Sequence, residues 1–318
     1  MAVAPGRAVP APVRGDSARA ASGALLRARR RSVFDRATAI RPVGDGVFLA
    51  EIHEGWSVST GPSGGYLAAI LVRALLADRD ADAPGVLRAL ALSYLKPSRP
   101  GPLSIELDSL RCGRLALRTA VRAHQDGVLV LCANATFSVE DLPSVAEWPL
   151  RPPASGAAPP LRAREVPADR YSPSARQWLE LPADLPEVIH HAKLAPQFGH
   201  GRFSGSPGAD GGGPETGGWM MLRGSQRIDL PYLALCADLW WPASLEGVSR
   251  PARAPTLDLT LHLRKTLPVG GLPDQPILAH FRARSAAEGL VDEDGSLFLP
   301  DGTLLAQVRQ LSLLAPTA

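Results

Sequence analysis

One order of elements is written twice in this chain, and that duplication constrains its fold more than any composition does. In the first half a strand ending near Trp56 runs into GPSGGYLAAILVRALLADRD, an apolar helical stretch. Four strand-like segments follow: LRALALSYLKP, LSIELDSLRCG, LALRTAVRAHQ and, after an Asp126-Gly127 turn, VLVLCANATFSV. In the second half GGWMMLRG leads into DLPYLALCADLWWP. Then come TLDLTLHLRKTLP, ILAHFRARSAAEG, SLFLP and, after Asp301-Gly302, LLAQVRQLSLL. The alternation in DLTLHLR and ELDSLRC is the period-2 mark of strands with one buried face. Asp-Gly supplies the positive φ angles of a tight hairpin. A helix followed by consecutive strands, repeated, predicts an α+β fold with antiparallel sheets. Both helices are apolar nearly all round, so each is expected to be wrapped by its sheet rather than covered on one side.

Four segments follow from this pattern. Residues 1–32 read as a disordered Arg/Ala/Pro-rich tail, 33–140 as the first folded unit, 141–216 as a Pro/Gly-rich linker and 217–318 as the second unit. The linker holds EWPLRPPASGAAPPLRAREVP and FSGSPGADGGGPETGG, compositions that connect domains rather than fill cores. A short helical piece, ARQWLELPADLPEVIHHA, is expected between them.

Composition narrows the partners. The net charge of +3 divides unevenly: residues 1–31 hold seven Arg and one Asp, leaving the rest of the chain negative. That removes the basic-domain argument for nucleic acid. The longest apolar stretch, GYLAAILVRALLA, is broken by Arg73 and falls short of a membrane span. Cys112, Cys132 and Cys236 form neither a CxxC pair nor a disulfide framework, which fits a reducing cytoplasm. The seven His are dispersed apart from His190-His191, so no metal or other cofactor is expected. A homo-oligomer is left open.

One acid stands out. Asp238 lies in ALCADLWWP, between Leu235-Cys236 and Leu239-Trp240-Trp241. A carboxylate in apolar company costs several kcal/mol unless it is hydrogen-bonded or paired, here on the order of the 2–7 kcal/mol of an uncompensated polar group. An isolated helical Asp is ordinarily an exposed edge residue or a cap. The repeat supplies a control, since the matching helix GYLAAILVRALLA contains no acid. An acid kept in one of two equivalent helices points to a site in one half only.

The motifs GGYLAAILVRAL, LSYLKPSRPGPL and LRCGR, followed by LCADLWWP, PTLDLTLHLRK and DGTLLAQVRQ, together resemble the acyl-CoA thioesterase II-like, double-hotdog family over roughly residues 33–315. That resemblance implies a tandem hotdog, two antiparallel sheets each wrapped around a long helix. It also implies an acyl-CoA substrate and hydrolysis of its thioester. It carries a catalytic set of an Asp in the second helix, a Thr at the start of the next strand and a Gln in the last strand. By motif these are Asp238, Thr256 and Gln310. Gln307, read as sharing the face of Gln310, is the rival. Where the best-studied branch has Glu-Gly after the last-strand Gln, this chain has Leu311-Ser312, which marks a divergent branch.

In strand positions Thr256 and Gln310 are ordinary structural residues, and the duplication again sharpens them. Aligning the halves sets Leu87 opposite Thr256 and Phe137 near Gln310, so the first half is apolar where the second carries hydrogen-bonding groups. The chemistry such a set suits is attack of water on a thioester carbonyl, with Asp238 as general base and Thr256 and Gln310 positioning the water. An oxyanion needs donors, and the N–H groups of Gly64 or Gly65 at the start of the first helix are candidates, close packing being the alternative. Lys96, Arg99 and Arg264 could meet CoA phosphates or be solvated strand ends.

Other readings are weaker. GPSGG matches the GxSxG of a nucleophile elbow, but an α/β-hydrolase needs several strands before it and alternating βα units after it. DEDGSLFLPDG lacks the twelve-residue layout and terminal Glu of an EF-hand and reads as a hairpin. A hotdog hydratase or dehydratase would require a catalytic His or an Asp/His pair. A non-catalytic acyl-CoA or acyl-carrier binding protein keeps the pocket and lets the three residues drift.

Overall fold

The computed structural model describes residues 31–79, 85–111, 113, 115–140, 142, 146, 148, 150–152, 178–198, 213–224, 226–248 and 252–317. The expected tail up to residue 30 and much of the expected linker lie outside these residues.

The first half contributes β1 (Ile40–Gly44), β2 (Val47–Ile52), β3 (Val86–Tyr94), β4 (Gly101–Arg111), β5 (Ala116–Gln125) and β6 (Val128–Ser138). The second contributes β7 (Ala192–Phe198), β8 (Glu215–Leu222), β9 (Thr256–Leu263), β10 (Ile277–Ala287), β11 (Leu290–Phe298) and β12 (Leu304–Leu313). All twelve form one antiparallel sheet in the order β1-β2-β4-β5-β6-β3-β9-β12-β11-β10-β8-β7. Read outward from its centre, this order is the same in both directions, which is the duplication made visible.

The two sheets implied by the resemblance are joined edge to edge into one continuous sheet. The strand after each helix, β3 or β9, ends its own half with an unpaired edge of N–H and C=O groups. Such an edge needs a partner, and each finds the other, with Leu92 opposite Leu259 and Leu90 opposite Leu261.

Part of the expected linker also belongs to the sheet. The short helix Glu187–His190 leads into β7, and β8 begins at Glu215. β7 tolerates Pro196 because it is an outermost strand, as β1 tolerates Pro42 at the other end. His191 ties this segment to the first half, its ring stacked at 3.9 Å on Trp56 and its Nε2 2.8 Å from the Gly55 carbonyl.

Four helices are described: α1 (Val33–Ala37), α2 (Gly64–Ala77), α3 (Glu187–His190) and α4 (Leu230–Cys236). α2 starts where the Ser63 side chain accepts from the Tyr66 N–H, a cap worth about 1 kcal/mol. Every residue from Gly65 to Val72 is buried, as its all-round apolar sequence requires. Each fully buried Leu or Ile there contributes roughly 1.5–3 kcal/mol. α4 packs on α2 and is buried from Pro231 to Cys236. It is not the long helix expected of the second half. It ends at Cys236, the backbone turns through Ala237–Leu239, and after Pro242 only a short 3-10 helix, Ala243–Gly247, follows. Helices and inward strand faces share one principal core.

Candidate functional site

The close crossing of α2 on α4 sets the site's geometry. A Cβ on Gly65 would stand 2.6 Å from the Leu235 carbonyl oxygen and 3.0 Å from the Asp238 Cβ. Glycine is thus required for the start of α2 to approach the end of α4. Asp238 lies two residues beyond α4 rather than inside it, its own N–H donating to the Leu235 carbonyl at 3.1 Å. From this turn the carboxylate reaches the first turn of α2, where Oδ2 accepts from the Gly65 N–H at 2.9 Å. Burial pushes the Asp238 carboxyl up to about 6, against the pull of the Gly65 N–H, the Gln310 amide and the Gly64 N–H. Some of the residue's surface remains open to solvent.

Gly64 and Gly65, expected as oxyanion donors, lie against the acid instead of facing open space. Their N–H groups bear on the Asp238 carboxylate, so the positive end of the helix and its free donors hold the acid.

Thr256 and Gln310 meet through their side chains. Gln310 falls on the inward face of β12 with Ala306, Val308 and Ser312. Thr256 would point the other way, with Asp258 and Thr260, but for a one-residue slip of β9 on β12 between Thr256 and Asp258. A bulge re-aims a side chain in this way. The Thr256 hydroxyl donates to Gln310 Oε1 at 3.0 Å, and Gln310 Nε2 donates to the Ala237 carbonyl at 3.2 Å. Thr256 therefore reaches Asp238 through Gln310. Gln307 is not on that face: three residues from Gln310 in a strand, it points oppositely and accepts from Arg264 Nε at 2.7 Å at the exposed side. Arg99 pairs with Asp126 in the open, and Lys96 is exposed.

Two further polar side chains bear on the cluster. Tyr94 closes β3 on the face of the buried Leu90 and Leu92, and its hydroxyl is buried beside Asp238. Glu293 lies opposite Gln310 across β11 and β12 and is 7% exposed. Its Oε2 accepts from the Ala243 N–H at 2.6 Å. Burial raises it to about 7 against the N–H groups of Ala243 and Ser244, with the Asp238 charge adding to the rise. Period-2 counting along Val291, Glu293, Gly295 and Leu297 is the signal that would have placed Glu293 inward. For Tyr94 the signal is its parity with Leu90 and Leu92. The indole N–H of Trp240 is committed elsewhere, to Thr216 Oγ1 at 2.8 Å.

Among the described residues no group of three His, Cys, Asp or Glu side chains is placed to hold a metal, and no helix is long and apolar enough to cross a membrane.

Comparison with known proteins follows the same division. A family model described as the acyl-CoA thioesterase N-terminal domain matches residues 52–138, and one described as the C-terminal domain matches residues 163–314. No curated protein matches the sequence. Among solved structures, a conserved protein of unknown function with a hotdog fold from Alicyclobacillus acidocaldarius is similar, with a TM-score of 0.71 and 23% identity over 90% of this chain and 98% of that one. An acyl-CoA thioesterase II from Mycobacterium marinum is similar with a TM-score of 0.63 and 17% identity over 90% and 99%. At these identities the likeness is one of fold, and the fold is the hotdog.

Proposed function

Because the chain belongs to the acyl-CoA thioesterase family, with the N-terminal and C-terminal domains in order, we propose that it hydrolyses acyl-CoA to free acid and CoA at one site. The halves, residues 33–140 and 217–318, are read as two hotdog units fused edge to edge. The single observation that carries the reading is the Asp238 carboxylate, desolvated and held against the first turn of α2.

A general base works best with its pKa near the operating pH, and a carboxyl raised to about 6 is ionised at neutral pH while keeping more affinity for a proton than a solvated Asp. Asp238 takes a proton from water as the water oxygen bonds to the thioester carbon and the carbonyl pair moves onto oxygen. Collapse of that intermediate restores the carbonyl and breaks the C–S bond. The sulfur leaves with the electron pair and takes the proton back from Asp238. Gln310 fixes the carboxylate and the water beside it, and the Thr256 hydroxyl fixes the orientation of the Gln310 amide.

The test is release of free thiol from acyl-CoAs of graded chain length, with Asp238→Asn alongside. Hydrolysis by the wild type and a fall in kcat of about 10²–10⁴-fold in the variant are expected, the range for losing a positioned base. Undiminished hydrolysis by the variant would sink the role of Asp238. No release from any substrate would favour the reading of a non-catalytic acyl-CoA binder.

A further inference from the structure

The Tyr94 hydroxyl is buried and has no hydrogen-bond partner among the described residues. Buried hydroxyls are nearly always paired, and one that is not calls for an explanation. Its position supplies one. A Cβ on Gly64 would stand 2.8 Å from Tyr94 Oη and 2.9 Å from Asp238 Oδ2. Both distances are shorter than a side-chain carbon can make, so glycine at position 64 is what lets the phenol and the carboxylate close on one point from two sides. The other donors nearby are already committed: Gly65 and the Gln310 amide to Asp238, and Thr256 to Gln310. The Tyr94 O–H, beside Asp238, is left without an acceptor among the described residues.

Hydrolysis of a thioester needs such a donor. As water attacks, the carbonyl π pair moves onto oxygen, and donors aimed at that oxygen supply a large part of the stabilisation. The geometry points to Tyr94 as a catalytic residue that donates a hydrogen bond to the thioester carbonyl oxygen while Asp238, beside it, deprotonates the attacking water. The hydroxyl keeps its proton throughout: the oxyanion accepts a hydrogen bond, and the proton that reaches the departing sulfur is the one Asp238 removed from water. Burial and the neighbouring Asp238 charge hold the phenol well above its ordinary range, so it remains a donor wherever Asp238 is ionised. This inference rests on the thioesterase reading. It adds that the first half provides the group on the carbonyl and the second half the base, so neither half holds a complete site.

The test uses the full chain, Tyr94→Phe and two non-hydrolysable probes: an acyl-CoA ketone with CH2 in place of sulfur, and an S-alkyl-CoA thioether without a carbonyl. The wild type is expected to bind the ketone about tenfold more tightly than the thioether, and Tyr94→Phe to erase the preference. In turnover the variant is expected to lose about 10²-fold in kcat, the scale for removing one oxyanion donor, with KM and the acid limb of the pH profile little changed. A wild type without preference for the ketone overturns the assignment, as does a variant that keeps both the preference and its kcat. A variant whose preference survives while its acid limb moves upward also overturns it, by assigning the hydroxyl to Asp238. A wild type that prefers the ketone but releases no thiol would sink the hydrolytic reading while leaving Tyr94 on the carbonyl.

Discussion

The molecule has two places where the start of one long-axis helix meets the end of the other, and only one has the makings of a site. The sequences GGYLAAILV (64–72) and LPYLALCAD (230–238) align residue for residue on Tyr66 and Tyr232, each the third helical residue after a capping side chain. In this alignment Asp238 stands where Val72 stands, and Gly64-Gly65 where Leu230-Pro231 stand. The strand bulges align too: β3 slips on β6 between Leu87 and Ala89, as β9 slips on β12 between Thr256 and Asp258. Leu87 is thus the counterpart of Thr256. The same register makes Ala135, rather than Phe137, the counterpart of Gln310, and Thr119 that of Glu293. At the second place the acid is absent, and so is the amide to hold it, since Pro231 has no N–H. Instead the Arg73 guanidinium bridges Asp35 at 2.6 Å and the capping Asp229 at 3.6 Å, with Phe34 beneath it. One location keeps a buried carboxylate held by backbone N–H groups, and the other is closed by ion pairs. A duplicated scaffold can thus specialise one copy of a helix junction for chemistry and the other for cohesion.

The largest effect should come from forcing the acid onto the wrong copy. Val72 is fully buried, and by the alignment an Asp there would meet Pro231 instead of a glycine N–H. Val72→Asp is expected to lose about 3–5 kcal/mol of stability, the cost of an uncompensated buried charge, and to gain no hydrolysis even when combined with Asp238→Asn. Urea unfolding and the thiol-release assay read both. Activity returning in the double variant would break the comparison, because the α2 glycines would then not be what qualifies the site.

This asymmetry explains how much of the molecule is legible in sequence. The α+β class and the position of α2 follow from apolar pattern and turn residues, which are local. That Asp238, Thr256 and Gln310 lie in one hydrogen-bonded cluster is readable because the first half serves as a control for each. Which strand edges join the two sheets is not readable, since nothing local says which two will meet. Nor is the early end of α4 at Cys236, from which Asp238 reaches Gly65 across the fold. Gln307 fails as a rival on parity alone, being an odd number of strand residues from Gln310. Tyr94 is legible only as an inward strand residue, since the meeting of its hydroxyl with Asp238 depends on Gly64 in a distant part of the chain.

A smaller effect concerns the cost of keeping the acid. A carboxyl raised from 3.8 to about 6 is easier to protonate in the folded chain than in the unfolded one, so its ionisation opposes folding. That penalty is absent below about pH 4, grows as pH rises towards 6 and is complete above it. At about 1.4 kcal/mol for each tenfold gain in proton affinity, it reaches at most about 3 kcal/mol. Asp238→Asn should therefore gain stability over the wild type at pH 8, and the gain should fade as the pH is lowered to 4. Urea midpoints across that range check it. A gain independent of pH would mean that the acid is not strained by burial, and that its Val72 counterpart is no more stable a choice.

The smallest effect separates the two acids of the second half. Glu293 faces Gln310 and feels the Asp238 charge, but its Oε2 is held by the Ala243 N–H on the chain after the Trp pair. Its counterpart Thr119 is also buried and neutral, which suggests that this strand position needs a hydrogen-bonding side chain rather than a charge. Glu293→Gln keeps an acceptor for Ala243 and removes a negative charge that forms as pH rises through about 7. Expected is a kcat within about threefold of wild type and an acid limb displaced slightly downward, since removing a nearby like charge eases the ionisation of Asp238. The pH dependence of kcat/KM decides the matter. A loss comparable to that of Asp238→Asn would make Glu293 a second working acid, and the difference between the halves would then be two carboxyls deep rather than one.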